Sequence, residues 1–239
     1  MILLPAIDIK NNKCVRLIQG DLENATIYSD NPVEMALKWQ NEGAQYLHVV
    51  DLDGAQSVSL VNRESIREII RSISVPIEIG GGIRTEERIE ELLDLGVSRI
   101  VLSTIAVENQ NLLRRFSEKY AKYLAVSVDA VNGKAAVRGW KDVTSVDVMD
   151  ICSLMEECGI KTLIYTDILR GGMLRGPNFE VYEKLKKSTK LDIIASGGVS
   201  SLEDVKRLEK LDMYGAIIGR ALCDGTLDFK EAIKCLQGE

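Results

Sequence analysis

The feature that most constrains this chain is a glycine motif that occurs twice in one register. Ile77-Glu78-Ile79-Gly80-Gly81-Gly82-Ile83-Arg84 reads as a short apolar strand ending on glycines, followed by a helix capped by Thr85. Ile193-Ile194-Ala195-Ser196-Gly197-Gly198-Val199 repeats it, with Ser200-Ser201 after it. Gly81 maps to Gly197, Gly82 to Gly198 and Thr85 to Ser201, each 116 residues on. The same offset carries Leu95 to Leu211, Val101 to Ile217 and Asp51 to Asp167. The chain therefore reads as two copies of one half, approximately 1–120 and 121–239.

Each half alternates apolar runs of strand length with helical patterns. Asn31-Pro32-Val33-Glu34 is a helix start, with Asn as cap and Pro in the first turn. Residues 10–29 read as a long loop, and Asn132-Gly133 as a type I′ hairpin turn. Residues 135–140 are expected to fold over the strand ends, ahead of a helix over 146–157 with Ser145 as cap. Eight strands with intervening helices, in two fourfold halves, predict a single-domain (β/α)₈ barrel over residues 1–239. The apolar runs suit strands covered on both faces.

Composition narrows the function. A net charge of −6 and a pI of about 5.1 argue against nucleic acid. The five cysteines show no metal-ligand spacing and read as free thiols of a reducing cytoplasm. The N-terminus enters a strand at once, so neither a signal peptide nor a membrane span is expected. A single histidine, His48, disfavours His-rich metal sites and a Ser-His-Asp triad. It lies mid-strand and reads as a packing residue. Acid–base chemistry falls to carboxylates and other groups.

In such a barrel the site lies at the C-terminal ends of the strands. Asp8 ends the first strand and Asp129 the fifth, on opposite sides of the mouth. Two carboxylates facing one pocket divide acid and base roles when their surroundings hold the pKa values apart. Gly81 and Gly82 with Thr104, and Gly197 and Gly198 with Gly219 and Arg220, form two candidate phosphate turns. Together they imply a ligand phosphorylated at both ends; plain tight turns are the alternative. Arg16 reaches a phosphate or solvent, Trp140 stacks on a flat ring or caps the barrel, and Thr166 packs or offers a hydroxyl.

Several motifs together carry a family resemblance. They are Pro5-Ala6-Ile7-Asp8, Val15-Arg16-Leu17 with Gln19-Gly20-Asp21, His48-Val49-Val50-Asp51-Leu52 and Gly80-Gly81-Gly82-Ile83-Arg84. To these add Gly139-Trp140, Tyr165-Thr166-Asp167-Ile168, Gly176-Pro177-Asn178, Ser196-Gly197-Gly198-Val199 and Gly219-Arg220-Ala221-Leu222. Over essentially its whole length the chain resembles the ProFAR isomerases of histidine biosynthesis. The resemblance implies an Amadori rearrangement of a bisphosphorylated aminoaldose to an aminoketose, with no metal or organic cofactor. It assigns Asp8 as general base at C2, Asp129 as the acid that opens the ribose ring, and Thr166 as an assisting hydroxyl. It places Trp140 on the substrate's imidazole and Arg16 on a closing loop.

One segment departs from the family. Where it usually reads Arg-Asp-Gly-Thr-Leu, this chain has Arg170-Gly171-Gly172-Met173-Leu174. Gly172 keeps the position expected to approach a phosphate. A cytoplasmic monomer acting on a small molecule, without nucleic acid or membrane, is the expectation. The alternatives are an isomerase that also takes phosphoribosyl anthranilate, the sister cyclase of the same pathway, and a silent phosphate-binding barrel.

Overall fold

The computed structural model describes residues 1–18, 21–56, 61–140 and 142–238. Gln19 and Gly20, part of the resemblance, lie outside the described residues. In chain order the first half runs β1 (Ile2–Lys10), β2 (Lys13–Ile18), β3 (Asp21–Ser29), α1 (Pro32–Asn41), β4 (Leu47–Asp51), α2 (Leu52–Gln56) and α3 (Arg63–Ser72). It continues through β5 (Ile77–Gly80), α4 (Glu86–Asp94), β6 (Arg99–Leu102), α5 (Thr104–Glu108) and α6 (Gln110–Tyr120). There follow β7 (Leu124–Val131), β8 (Lys134–Val137), β9 (Asp142–Asp147), α7 (Val148–Glu157), β10 (Thr162–Asp167) and α8 (Phe179–Ser188). The chain ends with β11 (Asp192–Ser196), α9 (Leu202–Lys210), β12 (Gly215–Ile218), α10 (Arg220–Cys223) and α11 (Phe229–Gln237).

Eight parallel strands close into a ring in the order β1, β4, β5, β6, β7, β10, β11, β12 and back to β1. This is the predicted (β/α)₈ barrel, and closure leaves the ring without an edge. Outward-facing residues such as Leu3, Val49, Ile79 and Ile193 pack against the helices in the main core. A smaller cluster of Leu4, Ala6, Val101, Ala125, Ile164, Ile194 and Ile217 fills the interior.

The helix starts follow local chemistry. Asn31 accepts from the amides of Val33 and Glu34 over Pro32, as expected. Thr85 caps α4, and Ser201 with Asp204 forms a capping box on α9. The cap of α7 differs: it is Asp147, not Ser145, because residues 142–147 continue as strand β9.

Within the expected loop, Lys13–Ile18 and Asp21–Ser29 are strands. β2 pairs antiparallel with β1, placing Val15 opposite Asp8, and β3 pairs with β2. Asn11 and Asn12, both at positive φ, make the reversal. β7 is extended in the same way by β8, with Ala136 opposite Asp129. There the reversal is Asn132-Gly133, at φ 51° and 77°, the conformation a type I′ turn requires. Each proposed catalytic aspartate is thus held inside a continuous strand by an antiparallel neighbour.

Candidate active site

β1 and β7 stand four strands apart in either direction around the ring, so Asp8 and Asp129 face each other across the mouth. A cavity of about 220 Å³ lies between them. Its wall includes Asp8, Arg16, His48, Asp129, Trp140, Thr166, Gly171, Gly172, Gly197, Gly198, Gly219 and Arg220. Most of the residues singled out from sequence therefore meet in one place.

Both carboxylates have protein partners. Asp8 receives Arg16 Nη1 at 2.6 Å, while Arg16 Nη2 donates to the Ala6 carbonyl. Arg16 sits on β2, so it is fixed by the ribbon rather than carried by a loop. Burial opposes its charge, but Asp8 beside it holds the guanidinium pKa above its ordinary value. Asp129 accepts the Trp140 indole N–H at 3.0 Å and a bond from Thr166, its neighbour across the β7–β10 ladder. Burial still wins over these two donors and lifts the Asp129 carboxyl above its ordinary 3.8. Trp140 reaches Asp129 from an unusual backbone: Arg138, Gly139 and Trp140 all have positive φ.

Gly197 and Gly198 turn at φ 88° and 89°. A Cβ on Gly198 would stand 2.5 Å from the Gly176 carbonyl oxygen, so only glycine fits there. Gly172 offers its carbonyl to Arg220 Nη1 at 2.6 Å, closing this corner of the cavity. At Gly171 a Cβ would meet the Trp140 ring at 3.3 Å, so the missing side chain gives the indole room.

Gly81, Gly82 and Thr104 do not line this cavity. A Cβ on Gly82 would stand 1.7 Å from the Gly54 carbonyl oxygen, so the start of α2 sits directly against that turn. The two turns are nevertheless built alike. Asn62 donates to Asp51 at 2.6 Å, and Asn178 donates to Asp167 at 2.6 Å, each tying a helix start to the end of a strand.

His48, read as a packing residue, lines the cavity. The available signal was a run of polar residues at inward positions of otherwise apolar strands: His48, Glu78 and Arg99. Arg138 is exposed and pairs with Glu108 and Asp142 rather than facing the cavity. All five cysteines are free. Burial pushes the Cys14 and Cys152 thiols up to about 12, which removes them as nucleophiles at neutral pH. Among the described residues no helix is long and apolar enough to cross a membrane.

A family model described as histidine biosynthesis protein matches residues 2–228. The Clostridioides difficile (strain 630) protein named 1-(5-phosphoribosyl)-5-((5-phosphoribosylamino)methylideneamino) imidazole-4-carboxamide isomerase is 52% identical over 240 residues, covering 100% of both chains. The chain belongs to this isomerase family of histidine biosynthesis. Relatives of the same name from Clostridium botulinum (strain Okra / Type B1) and Acetivibrio thermocellus are 44% and 46% identical. They cover 100% and 98% of this chain and 99% of their own length. In family terms, the (β/α)₈ ring is the scaffold and the cavity at its mouth is the candidate active site.

Proposed function

We propose that this cavity isomerises the bisphosphorylated aminoaldose ProFAR to its aminoketose by an Amadori rearrangement. The observation that carries the reading is the placement of Asp8 and Asp129 on opposite walls of one cavity, each on a barrel strand. Burial lifts the Asp129 carboxyl, which favours the role of an acid that delivers its proton to the ribose ring oxygen. Opening the ring leaves an imine at C1. Asp8 then removes the C2 proton from the other side, giving an enolamine; the proton returns to C1 as the 2-hydroxyl releases its own and becomes the ketone, and that released proton restores Asp129.

Thr166 orients Asp129 through their bond across the ladder. Trp140 stacks on the imidazole once its indole N–H leaves Asp129. Gly172, Gly197, Gly198, Gly219 and Arg220 receive one phosphate; the other extends beyond the cavity wall to the matching turn of Gly81, Gly82 and Thr104. Holding both ends of the sugar converts binding into orientation between acid and base. The enzyme acts as a cytoplasmic monomer of one domain and needs no metal or organic cofactor. The two barrel halves descend from one duplicated half, which accounts for the matched Asp–Asn clamps.

The test is turnover of ProFAR by the wild type beside Asp8→Asn and Asp129→Asn. Loss of about 10²-fold or more in each variant supports the acid–base pair. Full activity in either removes that residue from its role. Turnover of phosphoribosyl anthranilate, assayed in parallel, decides whether a second substrate is taken.

A further inference from the structure

Below the two aspartates, the barrel interior holds a chain of charge that the mechanism above does not use. Arg99 donates Nε–H to Glu78 Oε2 at 2.7 Å, and its Nη2 lies 2.6 Å from the same oxygen. The other carboxylate oxygen, Oε1, meets His48 Nδ1 at 2.6 Å. Glu78 is fully buried and Arg99 is 8% exposed. The guanidinium carbon lies 4.7 Å from the Tyr46 ring centre and 5.8 Å from that of Tyr214. His48 lines the cavity, is electrostatically coupled to Asp129, and makes no hydrogen bond through Nε2 among the described residues.

Stability does not explain this arrangement. A buried ion pair is commonly matched or bettered by well-packed apolar residues. The chain itself shows the substitution. The residues 116 positions after His48, Glu78 and Arg99 are Ile164, Ile194 and Gly215, and both isoleucines belong to the interior apolar cluster. At the matching positions the other half of the ring closes with two isoleucines and a glycine, so the ring does not need an ion pair there in order to close.

The proton placement then follows. Burial opposes ionisation of Glu78, but the bonds and charges of His48 and Arg99 prevail and hold it below its ordinary value. An ionised carboxylate only accepts hydrogen bonds. His48 Nδ1 must therefore carry a proton, and whenever the ring is neutral its Nε2 is an acceptor on the cavity side.

We propose that Arg99–Glu78–His48 is a positioning chain for the reaction: Glu78, anchored by Arg99, fixes the His48 tautomer so that Nε2 accepts a hydrogen bond from a ribose hydroxyl of the substrate. The proposal rests on the sugar-phosphate reading of the cavity. Glu78 touches no substrate and acts through His48. This is the pattern by which a carboxylate orients a functional imidazole elsewhere, where its loss costs about 10–100-fold.

His48 is the only histidine, so a ¹⁵N-histidine-labelled protein reports one imidazole. At a pH where the ring is neutral, the wild type is expected to show Nδ1 protonated and Nε2 bare. In Glu78→Gln the amide oxygen faces Arg99 and the amide N–H₂ faces Nδ1, so the proton is expected to move to Nε2. That variant is expected to lose about 10–100-fold in kcat with KM within about threefold of the wild type. In a His48→Gln background, Glu78→Gln is expected to cost nothing further in kcat.

Wild-type protein carrying its proton on Nε2 overturns the proposal. So does a tautomer-switched Glu78→Gln with wild-type kcat, or additive losses in the double variant. A purely structural Glu78 would lower the melting temperature in both backgrounds alike and leave kcat per folded molecule unchanged. Failure of the wild type to turn over ProFAR sinks the substrate reading instead, and the tautomer of the free protein still reports on the chain separately.

Discussion

Replacing Asp129 with asparagine is expected to stabilise the fold while destroying activity. The carboxyl sits where burial outweighs the Trp140 and Thr166 bonds, so its pKa is raised in the folded state. The sign follows from proton linkage. A raised pKa means the folded protein holds this proton more tightly than the unfolded chain. The contribution is complete below the ordinary 3.8 and is lost as pH rises through the folded value. Each unit of elevation costs about 1.4 kcal/mol once the group must ionise. Asparagine keeps an acceptor for both donors and removes the charge. Each kcal/mol recovered raises the melting temperature of a domain this size by about 2–4 °C. Thermal melts of wild type and Asp129→Asn should therefore diverge as pH climbs from about 4 to about 8, the variant being a few degrees higher at the upper end. Turnover should fall by about 10²–10⁴-fold. A variant less stable than wild type at about pH 8, or a gap that does not change with pH, refutes the argument that burial dominates at Asp129.

Other perturbations probe the remaining walls. Trp140→Phe removes the 3.0 Å donor to Asp129; a bond to a charged group is worth about 1.5–3 kcal/mol, so the basic limb of the kcat/KM profile should move up by about one to two pH units. Arg16→Gln strips the ion pair from Asp8 inside the mouth and should cost about 3–5 kcal/mol, seen in chemical denaturation. Gly198→Ala combines left-handed backbone with a 2.5 Å contact to the Gly176 carbonyl; it should raise KM for the bisphosphorylated substrate about tenfold, a loss of about 1.4 kcal/mol in binding. Gly139→Ala, with φ 67° and open space around its Cβ, should cost only the backbone penalty of about 1–2 kcal/mol, visible as a lower melting temperature.

The ring itself was legible because parallel strands covered on both faces leave continuous apolar runs, and β6 and β12 begin and end where those runs do. The Asn132-Gly133 reversal was legible because few residues tolerate two successive positive φ values. The antiparallel ribbons were harder to see. β2 and β3 lie over the mouth with mixed exposure, so Lys13–Ile18 lacks the signature of a buried strand, although Asn11-Asn12 marks its turn. Ser145 looked like a helix cap because Asp147, two residues later, offers the same chemistry, and only the pairing of β8 with β9 decides between them. His48 was missed for a different reason. A lone histidine in a strand carries no periodic signal, and its meaning lies in Glu78 and Arg99, 30 and 51 residues further on, which meet it only when β4, β5 and β6 stand side by side.

Ring closure also sets the order in which a working molecule can appear during synthesis. Asp8 lies on the first strand to be made, yet β1 completes the ring only by pairing with β12, where Leu3 meets Ala216 and Leu4 meets Ile217. Gly219 and Arg220 follow β12 directly, and Tyr28 on β3 bonds Asp224 beyond them. At about 5–20 residues per second, a growing chain spends tens of seconds with β1 exposed along one side and no partner for it. Unpaired parallel strands of this kind close slowly and invite association with other chains. The early antiparallel cover of β1 by β2, available as soon as residue 18 emerges, shields one end of that strand. A ribosome stalled before β12 would hold a chain that already carries the proposed base Asp8 and the proposed acid Asp129 but has no enclosed place for them to meet.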